Sequence, residues 1–310
     1  MINKNSKIYI AGHKGMVGAA CWKLFQKKGF HNLVGINSKN LDLRNQSETF
    51  DFFKKESPSV VIDAAARVGG ILANNSFPYE FLIDNMRIQN NLIEASYKTN
   101  VRKFIFLGSS CIYPKNSPQP IKEEYLLTSA LEETNQWYAI AKISGVKLCE
   151  SIFKKKRQFI SLMPTNLYGP NDNFDLNTSH VIPALVKKFD KASSINLDVE
   201  LWGDGTPLRE FLHVEDLCEA IFLSVTNEMN EHIYNIGSGE EFSIKEIASK
   251  IAQTVNFRGK INWNNKYPNG TKRKLLDSSK IREKGWRSKI KFEEGIVQVY
   301  EWYKKNKKNA

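Results

Sequence analysis

Short apolar runs alternate with amphipathic stretches through the first half of the chain. Residues 7–11 form an apolar run, followed by a glycine turn and by residues 16–28, whose apolar positions recur at helical spacing. Residues 31–36 read as a second strand, with a helix near 46–55. Residues 59–66 are nearly all apolar between Pro58 and Gly69 and make a third strand. Helical spacing returns over 77–99, a buried strand over 103–107, a helix over 138–153 and a strand over 158–163 that Pro164 closes. Continuous apolar strands separated by helices imply a doubly wound parallel sheet covered on both faces. Past Pro164 the alternation weakens. Residues 168–174 read as a loop, 181–189 as a helix, 198–202 as a strand, 210–226 as a helix and 232–236 as a strand ending at Gly237-Ser238-Gly239. The expectation is an α/β chain in which 1–166, rejoined by 211–238, form the sheet domain, and 167–210 with 239–310 form a smaller C-terminal lobe.

Charge and cysteine usage narrow the classes. Lys and Arg number 45 against 33 Asp and Glu, a net charge of +12. The basic residues sit in short clusters at 154–157, 272–274 and 304–308, and none is interleaved with aromatics as a strand-binding groove would be. A basic surface suited to phosphorylated small ligands fits better than nucleic acid. Cys21, Cys111, Cys149 and Cys218 are scattered, which argues against a metal site and for reduced thiols. No apolar run reaches the roughly 18 residues of a membrane span, and the opening MINKNSK lacks the apolar core of a secretory signal. A cytoplasmic location without membrane partners is expected.

The chemistry-bearing residues lie at strand ends. Gly12-His13-Lys14-Gly15-Met16-Val17-Gly18 follows the first strand and opens the first helix. Such glycines permit a tight turn and close backbone approach to a pyrophosphate, and the helix N-terminus offers N–H groups to the anion. The second strand ends in Asn37-Ser38-Lys39 with no acid to bind a ribose 2′-hydroxyl. With Lys14 also nearby, a 2′-phosphate is favoured, hence NADP(H). Gly108-Ser109-Ser110-Cys111 follows the fourth strand, and Tyr138 and Lys142 stand one helical turn apart. A cation beside a phenol favours proton exchange with a carbonyl oxygen, and a serine can hold the same oxygen.

These residues together resemble the extended short-chain dehydrogenase/reductases acting on nucleotide sugars, and more closely the GDP-L-fucose synthase family. The strings that carry the resemblance are AGHKGMV (11–17), AARVGGILANN (65–75), LGSSCIYP (107–114), NQWYAIAK (135–142), MPTNLYGP (163–170), SHVIPAL (179–185), and residues 202–214 and 272–277. The resemblance implies a Rossmann-type sheet and reduction of a C4 ketone in a GDP-4-keto-6-deoxy sugar, with epimerisation at C3 and C5. It implies Tyr138 as general acid, Lys142 as its tuning partner, Ser109 as polariser of the carbonyl, and Cys111 with His180 as the epimerising pair. Dinucleotide contacts would come from Gly12, Lys14, Gly15, Met16, Val17, Gly18, Lys39, Asp42, Ala65, Leu107, Gly108, Ser110, Lys142, Pro164, Asn166, Leu167 and His180. The GDP-sugar would meet Lys188, Trp202, Arg209 and Asn269.

Two departures stand out. The family often carries Arg where Lys14 sits, and some members carry Arg at Ser38, so a phosphate clamp here would rest on Lys14 and Lys39. The usual Asp of a P-D-G turn is Asn269, in Tyr267-Pro268-Asn269-Gly270. A reductase acting on a GDP-4-keto-6-deoxy-heptose without epimerisation is the alternative. A homodimer through the helices at 77–99 and 138–153 is implied by the same resemblance.

Overall fold

A computed structural model describes residues 2–176, 178–266, 269 and 271–307. β1 (Ile8–Ala11) leads through the glycine turn into α1 (Met16–Lys27), and β2 (Leu33–Val34) precedes α2 (Gln46–Glu56). Next come β3 (Val60–Asp63), α3 (Ile71–Ser76), α4 (Pro78–Lys98), β4 (Lys103–Leu107), α5 (Gln136–Phe153) and β5 (Gln158–Pro164). β6 (Asn166–Tyr168), α6 (Val181–Ser194), β7 (Val199–Trp202), β8 (Leu208–His213), α7 (Val214–Thr226) and β9 (Ile233–Ile236) follow. The chain ends through β10 (Glu241–Ser243), α8 (Ile244–Val255), β11 (Ile261–Asn264), β12 (Arg273–Lys274), α9 (Ser279–Glu283) and α10 (Phe292–Asn306).

Among the described residues six strands pair in parallel in the order β2-β1-β3-β4-β5-β9. This is the doubly wound arrangement expected from the alternation. Strand side chains alternate between the faces, so each face has its own core. Ile8, Ile62, Ile105 and Ile160 pack with Cys21 and Phe25 of α1 and Leu217 and Ile221 of α7. Tyr9, Val61, Phe104 and Phe159 pack on the other face with Leu92 of α4 and Val146 of α5. A third core joins α6, α8 and α10 through Phe189, Ile251 and Ile296. Above it, β8 pairs with β6, β10 and β12, and β7 pairs with β11. No helix is long and apolar enough to cross a membrane among the described residues.

Three expectations differ from what forms. The second strand is two residues long, and Gly35 after it lies against His13, where an added Cβ would sit 2.4 Å from the ring. Residues 210–213 are strand, and the helix starts only at Val214. The buried run Glu210–Phe211–Leu212–His213 is too short for its period to separate strand from helix. The stretch read as a loop from 168 begins with the last residue of β6, which pairs in parallel with β8.

Candidate active site

Strand order reverses between β1 and β3, and in open α/β sheets ligands lie beyond the strand ends at such a point. The two loops touch there. Gly12 adopts φ +75°, and a Cβ on it would lie 2.5 Å from the Ala64 carbonyl oxygen; one on Gly18 would lie 2.1 Å from that of Gly12. The N-cap of α1, Gly15, makes no side-chain cap, whereas α8 carries a full Ser243–Glu246 capping box. The first-turn N–H groups of α1 are therefore left for an anion. Lys14 and Lys39 are exposed, and Asn171 Nδ2 donates to the Lys14 carbonyl at 2.8 Å. Asp42 pairs with Arg44 at 2.8 Å, which holds its carboxyl below the usual range. Arg44 and Arg67 both reach Asp84, at 3.3 and 3.1 Å, so charges alternate along this rim. The glycine contacts and the uncapped helix fit a dinucleotide pyrophosphate.

Deeper in, α5 delivers Tyr138 and Lys142 to the end of β4. Lys142 is 3% exposed, and its Nζ donates to the Leu107 carbonyl at 2.8 Å, 4.7 Å from the Phe106 ring centre and 5.8 Å from that of Tyr138. Burial lowers its pKa, and the Asp63 carboxylate opposes that shift. The half-buried Tyr138 sets its ring edge-on to Phe81, 6.4 Å between centres. Burial, then negative charge at Cys111 and Asp63, raises the phenol well above its ordinary value. It therefore holds its proton at neutral pH, the state a general acid needs. Ser109 Oγ accepts from Cys111 N at 3.3 Å. Burial pushes the Cys111 thiol up, while Lys274 and the Ser109 hydrogen bond pull it down. A Cβ on Gly108 would sit 2.1 Å from Cε, the flexible end of Met163, which would have to move.

Asp63 and Lys274 belong to this cluster although neither stood out as a candidate in the sequence. Asp63 is 1% exposed; one oxygen accepts from Ala65 N at 3.2 Å, and Oδ2 has no hydrogen-bond partner among the described residues. Burial pushes its carboxyl up to about 6. The available signal was a charge closing an otherwise apolar strand, VVID. Lys274 stood in the basic cluster 272–274 and the string 272–277 without a role of its own.

The remaining residues sit in other segments. His180 starts α6 without a side-chain cap; it is reached by water, yet the protein around it desolvates the imidazolium and lowers its pKa. The preceding residues are tied to the loop after β3, with Gly70 N donating to the Thr178 carbonyl at 2.9 Å. Lys188 Nζ stands 5.9 Å from the ring centre of Trp202, which is 56% exposed. Arg209 donates to the carbonyls of Leu208, at 2.8 Å, and Thr271. Asn269 Oδ1 accepts from Asp204 N at 3.1 Å and so braces the turn after Trp202. Its neighbours Tyr267, Pro268 and Gly270 lie outside the described residues. Asn166 Nδ2 is committed to the Glu210 carbonyl at 2.9 Å. Pro164 and Ser110 are buried; Met16 and Val17 at the start of α1, Ala65 after β3 and Leu167 within β6 are half-buried. The structure thus gathers Ser109, Cys111, Tyr138 and Lys142 tightly, and pairs Lys188 with Trp202. His180 enters on a separate segment. A recess of about 310 Å³ between the ends of α6 and α8 shares no residue with this set.

Residues 8–237 match the NAD dependent epimerase/dehydratase family. The chain belongs to that family. It is 50% identical over 309 residues to GDP-L-fucose synthase 1 of Arabidopsis thaliana, covering 99% of this chain and 95% of that protein. It is 45% identical over 312 residues to GDP-L-fucose synthase of Escherichia coli, covering 97% of each. Among solved structures it is similar to a GDP-mannoheptose C4 reductase from Campylobacter jejuni with NADP bound. That likeness has a TM-score of 0.90 and 38% identity, over 98% of this chain and 100% of that one. Family membership matches the resemblance read from the glycine turn and the Ser–Tyr–Lys set.

Proposed function

We propose that the chain reduces the C4 ketone of a GDP-4-keto-6-deoxy sugar with NADPH and epimerises C3 and C5 of the same sugar. The observation that carries this is Lys142, buried and hydrogen-bonded to the Leu107 carbonyl, one helical turn from a protonated Tyr138. Names borne by the plant and bacterial relatives support the substrate class. The dinucleotide, when bound, supplies hydride to the ketone carbon. Ser109 and Tyr138 orient the ketone oxygen, and Tyr138 gives the alkoxide its proton while the Lys142 ammonium stabilises the phenolate left behind. Inverting a carbon beside a ketone needs proton removal from one face and return to the other, roles for Cys111 and His180. Arg209 would fork the pyrophosphate, and Trp202 would stack on guanine with Lys188 alongside. In this reading 1–166 with 211–238 hold the dinucleotide, and 167–210 with 239–310 hold the sugar nucleotide.

We further infer a homodimer. Trp137, Ile140 and Leu148 expose apolar surface along one stripe of α5, which a second copy would cover. A heptose substrate without epimerisation is the second reading, favoured by the likeness to the GDP-mannoheptose C4 reductase.

The deciding experiment runs NADPH consumption with GDP-4-keto-6-deoxy-mannose in D2O and weighs the product. Deuterium at C3 and C5 supports the epimerase-reductase; turnover without it favours the reductase alone. No turnover while NADPH still binds sends the search to heptose substrates.

A further inference from the structure

We propose that Lys274 is a positioning residue for the epimerisation: its ammonium lines the same small cavity as the Cys111 thiol and favours the thiolate that removes the sugar proton. This deepens the epimerase reading above and rests on it.

The backbone fixes the approach. Ile121 N donates to the Leu275 carbonyl at 2.7 Å and Asp277 N to the Ile121 carbonyl at 2.8 Å, so residues 275–277 are stitched to the loop that follows Cys111. Leu276 N donates to the buried Glu210 carboxylate at 3.1 Å. Lys274 itself pairs in parallel register with Arg209. The stitched segment brings Lys274 and Cys111 to the walls of one small cavity of about 10 Å³, shared with Tyr113, Glu132 and Thr271. The neighbouring cation does not compete, because Arg273 is held in a fork by Glu241 at 2.6 to 3.0 Å.

The charges around the pair are few and named. Glu132 faces Lys274 and is itself ion-paired to Lys115 at 3.2 Å; Arg209 opposes it with like charge; Lys142 faces Cys111 from α5. Burial alone would keep Cys111 as an unreactive thiol, and a thiol that keeps its proton cannot act as a base. Lys274 offsets that burial more than any other group around Cys111.

The step balances. The thiolate takes the proton from a carbon flanking the ketone, forming S–H. The C–H pair moves into the adjoining C–C bond, and the ketone π pair moves onto the oxygen that Tyr138 and Ser109 face. As the ketone re-forms, protonated His180 delivers a proton to the opposite face of the same carbon. The Cys111 thiol then gives its proton to solvent and the His180 imidazole takes one up, which restores both groups.

The test compares Lys274→Gln, Lys274→Arg and the parent chain in two measurements. The first is the pH dependence of Cys111 alkylation by iodoacetamide, read from its own peptide by mass. Lys274→Gln should move that curve up by about one pH unit, a tenfold slower reaction near neutrality, while Lys274→Arg leaves it in place. The second is deuterium exchange at C3 and C5 of the ketosugar without NADPH, which should fall at least tenfold in Lys274→Gln and recover in Lys274→Arg. NADPH binding should be unchanged throughout and reports folding. An unmoved alkylation curve in Lys274→Gln overturns the proposal, as does loss in Lys274→Arg equal to that in Lys274→Gln. No exchange in the parent chain would refute the epimerase reading instead, with the alkylation curve still deciding whether Lys274 governs the thiol.

Discussion

The two ends of the candidate site are built on opposite principles. At the ketone end the charged groups are dry: Asp63 is 1% and Lys142 3% exposed, and each is placed by strand register or helix. At the end proposed for the sugar nucleotide, Trp202 is 56% exposed on a short strand, with Lys188 beside it and a side chain, Asn269, bracing the turn. Desolvated charges are costly, so a cluster of them survives only where partners offset one another. Exposed charges cost little, and the ligand itself must supply the burial. On the proposed reading, the chemistry end is preorganised before substrate arrives and the recognition end is completed by it.

The largest effect should come from breaking the dry end at its proton donor. Tyr138→Phe keeps the ring against Phe81 and removes only the hydroxyl, so NADPH binding should persist while turnover falls by roughly 10² to 10⁴, the range of general acid catalysis. Stopped-flow NADPH oxidation beside a fluorescence titration checks both. Loss of binding and turnover together would mean the phenol is structural.

Asp63 tests dryness directly through pH. Its carboxyl stands at about 6 against an ordinary 3.8, so the folded chain binds that proton more tightly than the unfolded one. The sign follows: this group's stability is fully present below about 3.8 and is lost as pH rises through about 6. The loss amounts to about 3 kcal/mol. Asp63→Asn escapes it, so urea unfolding should show the variant gaining on the parent by about that much between pH 4 and 7. Removing the carboxylate also strips Lys142 of a counter-charge, so the high-pH limb of turnover should move down. A pH-independent difference in stability would show that the ketone end is wetter than its burial suggests.

The same contrast explains what could be read in advance. The glycine turn, Ser109, Tyr138 and Lys142 were legible because backbone geometry and a four-residue helical spacing leave marks in sequence. The parallel sheet was legible because strands buried on both faces are continuously apolar. Residues 210–213 were read as the start of a helix and form the end of β8, since a short buried run carries no period. Asp63 and Lys274 reach the cluster from β3 and β12, and a meeting of β12 with the segment after β4 leaves no local pattern. Lys188 and Trp202 came only from resemblance, since an exposed Lys and Trp look like ordinary surface. Asn269 is expected to touch the ligand, and its side-chain oxygen accepts from Asp204 N.

The wet end yields smaller effects, and these fall on binding rather than on chemistry. Trp202→Ala removes a stacking face worth about 1 to 3 kcal/mol in comparable base contacts, so the GDP dissociation constant should rise about tenfold. Calorimetry with GDP reads the first, and saturating kinetics should show kcat unchanged. A fall in kcat as large as the rise in KM would erase the division between the two ends.

Asn269→Asp should do least, and its smallness is informative. The variant keeps an acceptor for Asp204 N, so the turn after Trp202 stays braced. It adds a negative charge beside Asp204, whose own carboxyl is held low by the Thr206 hydroxyl and amide. Both carboxylates would then face solvent near an anionic ligand, where salt screens interactions beyond a few ångströms. The expected outcome is less than about a twofold loss of GDP affinity, vanishing by about 0.5 M salt. A loss that persists at high salt would mean that Asn269 touches the nucleotide through its amide nitrogen, and that the recognition end holds one preorganised contact of its own.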